Sequence, residues 1–288
     1  MSLNTEKPKT IWLGIDFSGN HRMWRSSERR SNIYVAEVHG AREALILQNL
    51  LTVQELPGHG DPFQRLVRRL KSADFEAAAI DAPFSIPSKY LPPGGHKALL
   101  KMVAEIQRPE AWPFPSAQDF ACTVLAGRPI LNKKPLRKTE AHWSRKVNVR
   151  STLWCGPRGG AAMTVACLTL LQESQRPIWP WCQHAPGNHG ILIEAFPAAQ
   201  LYHWGIASQK YDGEQKEASD TREMLIDQMT GKIQLPRHLK DKMKQSADAL
   251  DAVVCAFAAI AVSTDRVVPF LGSIKPDDEG HIAVHDTV

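Results

Sequence analysis

Acidic residues stand at five positions where a carboxylate is costly. Asp16 lies inside the apolar run of residues 10–17 (TIWLGIDF), and Asp81 and Glu194 each close a short apolar run (77–80 and 190–196). Asp248 and Asp251 open the apolar stretch 247–262, three residues apart, so one helical face carries both. An anion taken out of water needs a partner, and a metal ion is one. Mg²⁺ takes oxygen ligands, usually one or two carboxylates with waters retained, so acids arriving from strand ends and a helix start suit a one- or two-ion site. Each acid also has a structural role open to it. Asp16 and Asp81 can begin turns, Asp248 can cap a helix, and Glu194 can pair with an arginine.

The elements that must position these acids are legible in the hydropathy pattern. Residues 10–17 read as a buried strand entering the turn Ser18-Gly19-Asn20, with 32–38 as its hairpin partner. Residues 45–56 read as a third strand, with a helix as the alternative. Asp61-Pro62 is a helix start, followed by Phe63, Leu66, Val67 and Leu70 at helical spacing. A short strand at 77–80 comes next. The Pro-rich, basic middle, 88–158, reads as irregular structure with short helices. Then come a helix at 161–173, a strand at 190–196, a polar and mostly helical stretch at 200–244, and a buried helix at 247–262. This order predicts an α/β fold with a mixed sheet flanked by helices. We read one domain over 10–265, with insertions at about 88–158 and 176–189, and a loosely ordered tail at 266–288.

The 288 residues, 43% apolar and 23% charged, suffice for one large core. No apolar run reaches membrane-span length, so no membrane partner is expected. Five widely spaced cysteines without a CxxC pair argue against structural zinc and for reduced thiols. Residues 1–9 are polar with no apolar signal core, and a cytoplasmic location is the expectation. The net charge of +5 is concentrated: between Arg128 and Arg150, eight basic residues face one acid, Glu140. Such a stretch suits a polyanion such as nucleic acid, or forms a solvated loop.

Four strings carry a resemblance: GIDFSG at 14–19, IDAPFSIP at 80–87, IEAFPAA at 193–199 and DALDAVVCAFAA at 248–259. In this order the chain resembles the domain of unknown function 429 family, regarded as predicted RNase H-like nucleases related to the RuvC resolvases. Leu136-Arg137-Lys138-Thr139-Glu140 resembles a further arginine-plus-acid motif between the second and third strings. In RNase H-like proteins an Asp on the first strand, an acid on the fourth strand and an acid on the last helix hold the metal. The resemblance therefore implies Asp16, Asp81 and Asp251 as ligands of Mg²⁺ or Mn²⁺, Asp248 as a close second, and Glu194 as a further catalytic acid from the next strand edge.

The implied reaction is phosphodiester hydrolysis at a two-metal site, with ions roughly 4 Å apart and no histidine base required. Arg137, Lys138, Arg145, Lys146 and Arg158 are the candidate contacts to nucleic acid. Other readings stand beside this one. The chain can be a nucleic-acid-binding module without catalysis, an ATP-dependent kinase-like enzyme of the same core, or a small-molecule hydrolase using the same acids.

Overall fold

The computed structural model describes residues 10–41, 44–126, 135–156, 159–182, 189–206, 210–269 and 279–286. Strands β1 (Thr10–Asp16), β2 (Tyr34–Ala41), β3 (Ala44–Thr52), β4 (Ala77–Asp81) and β5 (Ile191–Glu194) form one sheet in the order β3-β2-β1-β4-β5. The first three strands are antiparallel, and β4 and β5 run parallel to β1. The segment open to two readings, 45–56, is a strand through Thr52. Leu45, Leu47 and Leu50 turn into the core, with a register shift opposite Glu37 and Val38 between the last two.

Helices cover both faces. On one side lie α1 (Pro62–Lys71) and α5 (Ala161–Ser174), with α2 (Gly95–Glu105) and α3 (Ala117–Leu125) packed outside α5. Helix α1 starts as its sequence dictates: Asp61 Oδ1 accepts from Gln64 N at 2.9 Å and Pro62 sits in the first turn. Phe63, Leu66, Val67 and Leu70 are its buried stripe. The stretch read as irregular structure with short helices, 88–158, holds α2, α3 and the short α4 (Lys138–Trp143). On the other side lie α9 (Ala247–Ser263), then α7 (Lys216–Met229) and α8 (Arg237–Gln245). Helix α6 (Pro197–His203) follows directly from β5. Among the described residues no single helix is long and apolar enough to cross a membrane; α9, apolar almost throughout, is buried in the core.

The closest helix–strand approach relevant to the acids is that of α9 on β1. A Cβ on Gly14 would stand 2.0 Å from the Ala252 carbonyl oxygen and 2.4 Å from the Ala256 nitrogen. Glycine is required here because backbone meets backbone. Gly19 has the same role on the opposite face, where a Cβ would fall 2.3 Å from Met163 N at the start of α5. The two glycines of GIDFSG are therefore packing requirements of two different helices. Ala77 and Ala79 on β4, with Ala249, Ala252, Ala256 and Ala259 on α9, keep that interface thin.

The expectation of a loosely ordered tail is corrected for residues 279–286. Glu279, His281, Ile282, Val284 and His285 are buried. Ala283 N donates to Glu194 O at 2.9 Å and His285 N to Gln200 Oε1 at 2.6 Å. The segment bridges in parallel to Glu194, so it satisfies the end of the outer edge of β5, whose middle is bonded by residues 177–179; no periodic pattern in so short a stretch announces it.

Gly14→Ala is expected to destabilise the fold by about 3 kcal/mol, the upper end of overpacking costs, because the obstructing atoms are backbone. Urea unfolding measures it; an unchanged midpoint would show that α9 shifts freely off β1.

Candidate functional site

The pleat of the sheet decides which acids meet. Asp16 and Asp81 are register partners across β1 and β4. Strand residues alternate faces, so Asp16 follows Trp12 and Gly14, and Asp81 follows Ala77 and Ala79, onto the α9 side. Asp248 lies in the first turn of α9, and Asp251 is one turn on. Ser246 caps that helix, its hydroxyl accepting from Ala249 N at 3.2 Å, so Asp248 is not engaged as the cap. Four carboxylates from the first strand, the fourth strand and the last long helix thus gather at one edge of the sheet. Asp16 is buried and the other three are half-buried, which leaves the cluster open on one side.

Their electrostatics follow from this crowding. Burial, then the charges of Asp248, Asp251 and Asp81, hold the Asp16 carboxyl well above the usual range. Burial lifts Asp81 to about 7; Arg150 opposes the rise, while Glu194 and Asp248 add to it. Burial also lifts Asp248 to about 6 against the pull of Arg222. Asp251 is raised far by burial and by Asp81, although the Tyr211 hydroxyl donates to its Oδ1 at 2.9 Å. Acids that raise one another's pKa in a partly open site form an anionic centre short of cations. The donor set is all carboxylate, which fits a hard divalent cation such as Mg²⁺ or Mn²⁺. Among the described residues, however, no three His, Cys, Asp or Glu side chains stand ready to hold an ion. Binding would have to draw the aspartates together.

Glu194 is not part of this cluster. It pairs in register with Ile80, one residue before Asp81, so the pleat turns its side chain to the α1/α5 face. There it meets Arg137, which is 1% exposed. Arg137 Nη1 donates to Glu194 Oε2 at 2.7 Å and to Glu279 O at 3.3 Å. Its Nε and Nη2 reach Glu140 Oε1 at 3.0 and 2.9 Å, and Nη2 also donates to Glu194 Oε1. A guanidinium has five N–H groups, and all five are used. Burial works against this charge, but Glu140 and Glu194 outweigh it and hold Arg137 protonated well above its ordinary value. Arg137 is therefore corrected from a nucleic-acid contact to the centre of a buried ion network, and Glu194 from a catalytic acid to its partner. Phe84 N, two residues beyond Asp81 Cα's neighbour Ala82, also donates to Glu194 Oε2 at 3.1 Å.

A family model described as Protein of unknown function (DUF429) matches residues 14–275. The chain belongs to this family. No curated protein and no solved structure matches it. Of the basic residues singled out in this DUF429 protein, Lys138, Arg145 and Lys146 are exposed on α4 and the turn after it, and Arg158 lies outside the described residues. Three contributors to the site escaped the sequence reading as individual residues. Arg150, counted only within the basic stretch, faces Asp81. Tyr211 bonds Asp251, and Tyr34 at the start of β2 lies near Asp248 and Asp16. Tyr211 sits in a polar stretch with no periodicity to mark it, and Tyr34 looks like an ordinary strand aromatic.

Two outcomes follow for the DUF429 fold. Asp81 and Asp248 have folded-state pKa values of about 7 and about 6, above the unfolded value of about 3.9. Between these limits the folded protein holds protons that the unfolded chain has released, so their contribution is full below pH about 4 and is lost as pH rises through about 7. Buried His96, His281 and His285, pressed down to about 4, act in the opposite sense. The measurement is therefore the difference between Asp81→Asn and wild type in metal-free buffer. The variant gains relative stability from pH 5 to 8; a flat difference would remove Asp81 from the crowded cluster. Separately, Arg137→Met leaves two buried carboxylates uncompensated and is expected to lose about 3–5 kcal/mol in denaturant unfolding, whereas a rim pair would lose under about 1.

Proposed function

We propose that this protein is a divalent-metal-dependent phosphodiester hydrolase of RNase H-like architecture that acts on nucleic acid. The observation that carries the reading is the source of the four gathered carboxylates. The first strand, the fourth strand and the last long helix supply them, as the resemblance implies for a metal centre. The exposed cations of α4 and the turn after it support a polyanionic substrate.

Asp16, Asp81, Asp248 and Asp251 would hold Mg²⁺ or Mn²⁺. When bound, such ions activate a water for attack on phosphorus and stabilise the departing oxygen. The chain's own contributions are separable. Asp16 is the most buried of the four and is pressed by the charges of the other three, so it would be a central ligand. Tyr211 fixes the orientation of Asp251 through its hydroxyl. Arg150 supplies positive charge that opposes the rise of the Asp81 carboxyl. Burial holds the Asp81 carboxyl up at about 7, so ion binding near neutral pH is expected to release protons and to tighten as pH rises. A cytoplasmic location belongs to the same reading, supported by five free cysteines.

One observation favours the second reading, a nucleic-acid-binding module without catalysis: among the described residues no ready-made metal-holding group exists. The two diverge in a single experiment. With Mn²⁺ or Mg²⁺, wild type is expected to bind the ion with proton release in calorimetry and to cleave labelled DNA or RNA. Asp16→Asn and Asp251→Asn are expected to keep their thermal transitions and lose at least about 100-fold in cleavage. Cleavage that survives both substitutions would sink the assignment, and nucleic-acid binding with no ion uptake would favour the module.

A further inference from the structure

Residues 135–156 present a surface whose charge is of one sign. Their single acid, Glu140, is buried with Arg137, so that pair cancels internally. What remains exposed is Lys138, Arg145, Lys146 and Arg150. This strip is held against α6 by a small apolar cluster of Trp143 and Val147 with Ala199, Ile282 and Val284. The contact brings Lys146 beneath an exposed aromatic. Its Nζ lies 4.8 Å from the Trp143 ring centroid and 5.7 Å from that of Tyr202, and 3.3 Å from His142 Nε2. Tyr202 is 44% exposed; Met224 is the other large apolar side chain as open among the described residues. A lone exposed tyrosine needs no explanation, but one seated beside a fixed ammonium on an all-cationic strip has a chemical use.

The location adds to this. Helix α6 begins three residues after Glu194, at the end of β5, and the N-terminus of α4 is tied to Glu194 through Arg137. Both helices therefore stand at the sheet edge that carries the acids. Arg150 closes the far end of the strip and is exposed. Two acids adjoin this face: Asp286 pairs with His203 at 3.3 Å, and buried Glu279 accepts from Lys138 N and Ser88 N.

We propose that α4, the turn after it and α6 form a binding platform for single-stranded nucleic acid, with Tyr202 stacking an unpaired base and Lys146, Arg145 and Lys138 meeting phosphates. The platform deepens the reading of the acid cluster as a nucleic-acid-cleaving centre and rests on it for the destination of the strand. Single strands are favoured over duplex because an exposed ring can stack only on a base whose face is free. Stacking of this kind tolerates any sequence, since every base has a π-face.

The test is fluorescence anisotropy of the full chain with a labelled oligothymidylate of about 20 nucleotides and with its duplex, in EDTA so that cleavage does not intervene. Wild type is expected to prefer the single strand. Tyr202→Ala weakens that binding by about 5- to 150-fold and Tyr202→Phe restores most of it. Lys146→Ala reduces the salt dependence by about one phosphate, a change of about 0.7 in the log–log slope. Unchanged binding by Tyr202→Ala, or duplex bound as tightly as single strand, overturns the platform. Asp16→Asn keeps the reading of the centre apart: Tyr202-dependent binding in a protein with no metal-dependent cleavage supports the platform and sinks the nuclease reading. Cleavage lost in Asp16→Asn while Tyr202→Ala binds normally does the reverse.

Discussion

Helix α9 rests with its backbone on β1 because Gly14 has no side chain to hold it away. Everything about the acid cluster depends on that contact. Asp16 lies two residues beyond Gly14 on the same face, and Asp251 lies beside Ala252, whose carbonyl oxygen occupies the space a Gly14 side chain would fill. A helix standing a methyl group farther out would carry Asp248 and Asp251 away from the strand carboxylates. The alanines of β4 and α9 serve the same end. Small residues give up apolar burial that larger ones would provide. What they secure is close approach, and the apolar core on the α1/α5 face, with Phe63, Phe84, Phe114 and Phe120, carries the bulk instead.

The sheet separates acids by the parity of their positions. Asp81 and Glu194 both end parallel strands, and sequence alone makes them look equivalent. Register sets Glu194 beside Ile80, so the two carboxylates leave the sheet on opposite faces. The consequences differ in kind. Glu194 is bound by Arg137, which it shares with Glu140, and by the Phe84 amide, and its network anchors α4 to the sheet. Asp16, Asp81, Asp248 and Asp251 are left crowded and under-compensated, with Arg150 and Arg222 only at their margins. A fold that gives two buried acids a shared guanidinium and leaves four others in mutual repulsion has local instability at the second site. Such conflicts between stability and local structure concentrate where chemistry is done.

The buried network also links the tail to the site. Glu279 accepts from Ser88 N and Lys138 N, each at 2.6 Å, and its carbonyl takes a fifth hydrogen bond from Arg137. Residues remote in sequence thus close one ion cage: the segment after β4, the start of α4, the end of β5 and the chain's last described stretch. Desolvating so many charges brings little net stability, but it fixes geometry, and the geometry it fixes is the seating of α4 against the sheet.

By itself the sequence determined the main elements and the identity of the four acids that gather. Long apolar periods, the Asp61-Pro62 helix start and the paired aspartates three residues apart are local signals, and local signals survive into any fold that buries them. It left the 45–56 segment open between strand and helix, and it did not reveal the helices of the basic middle as well-packed elements. Nor did it separate Glu194 from Asp81, detect that Arg137 is buried, order residues 279–286, or distinguish Tyr211, Tyr34 and Arg150. Each of those facts depends on register across strands or on contacts between segments far apart in the chain. Only the tertiary structure decides them, because facing and pairing are properties of neighbours in space, and a single residue's type does not say which neighbours it will meet.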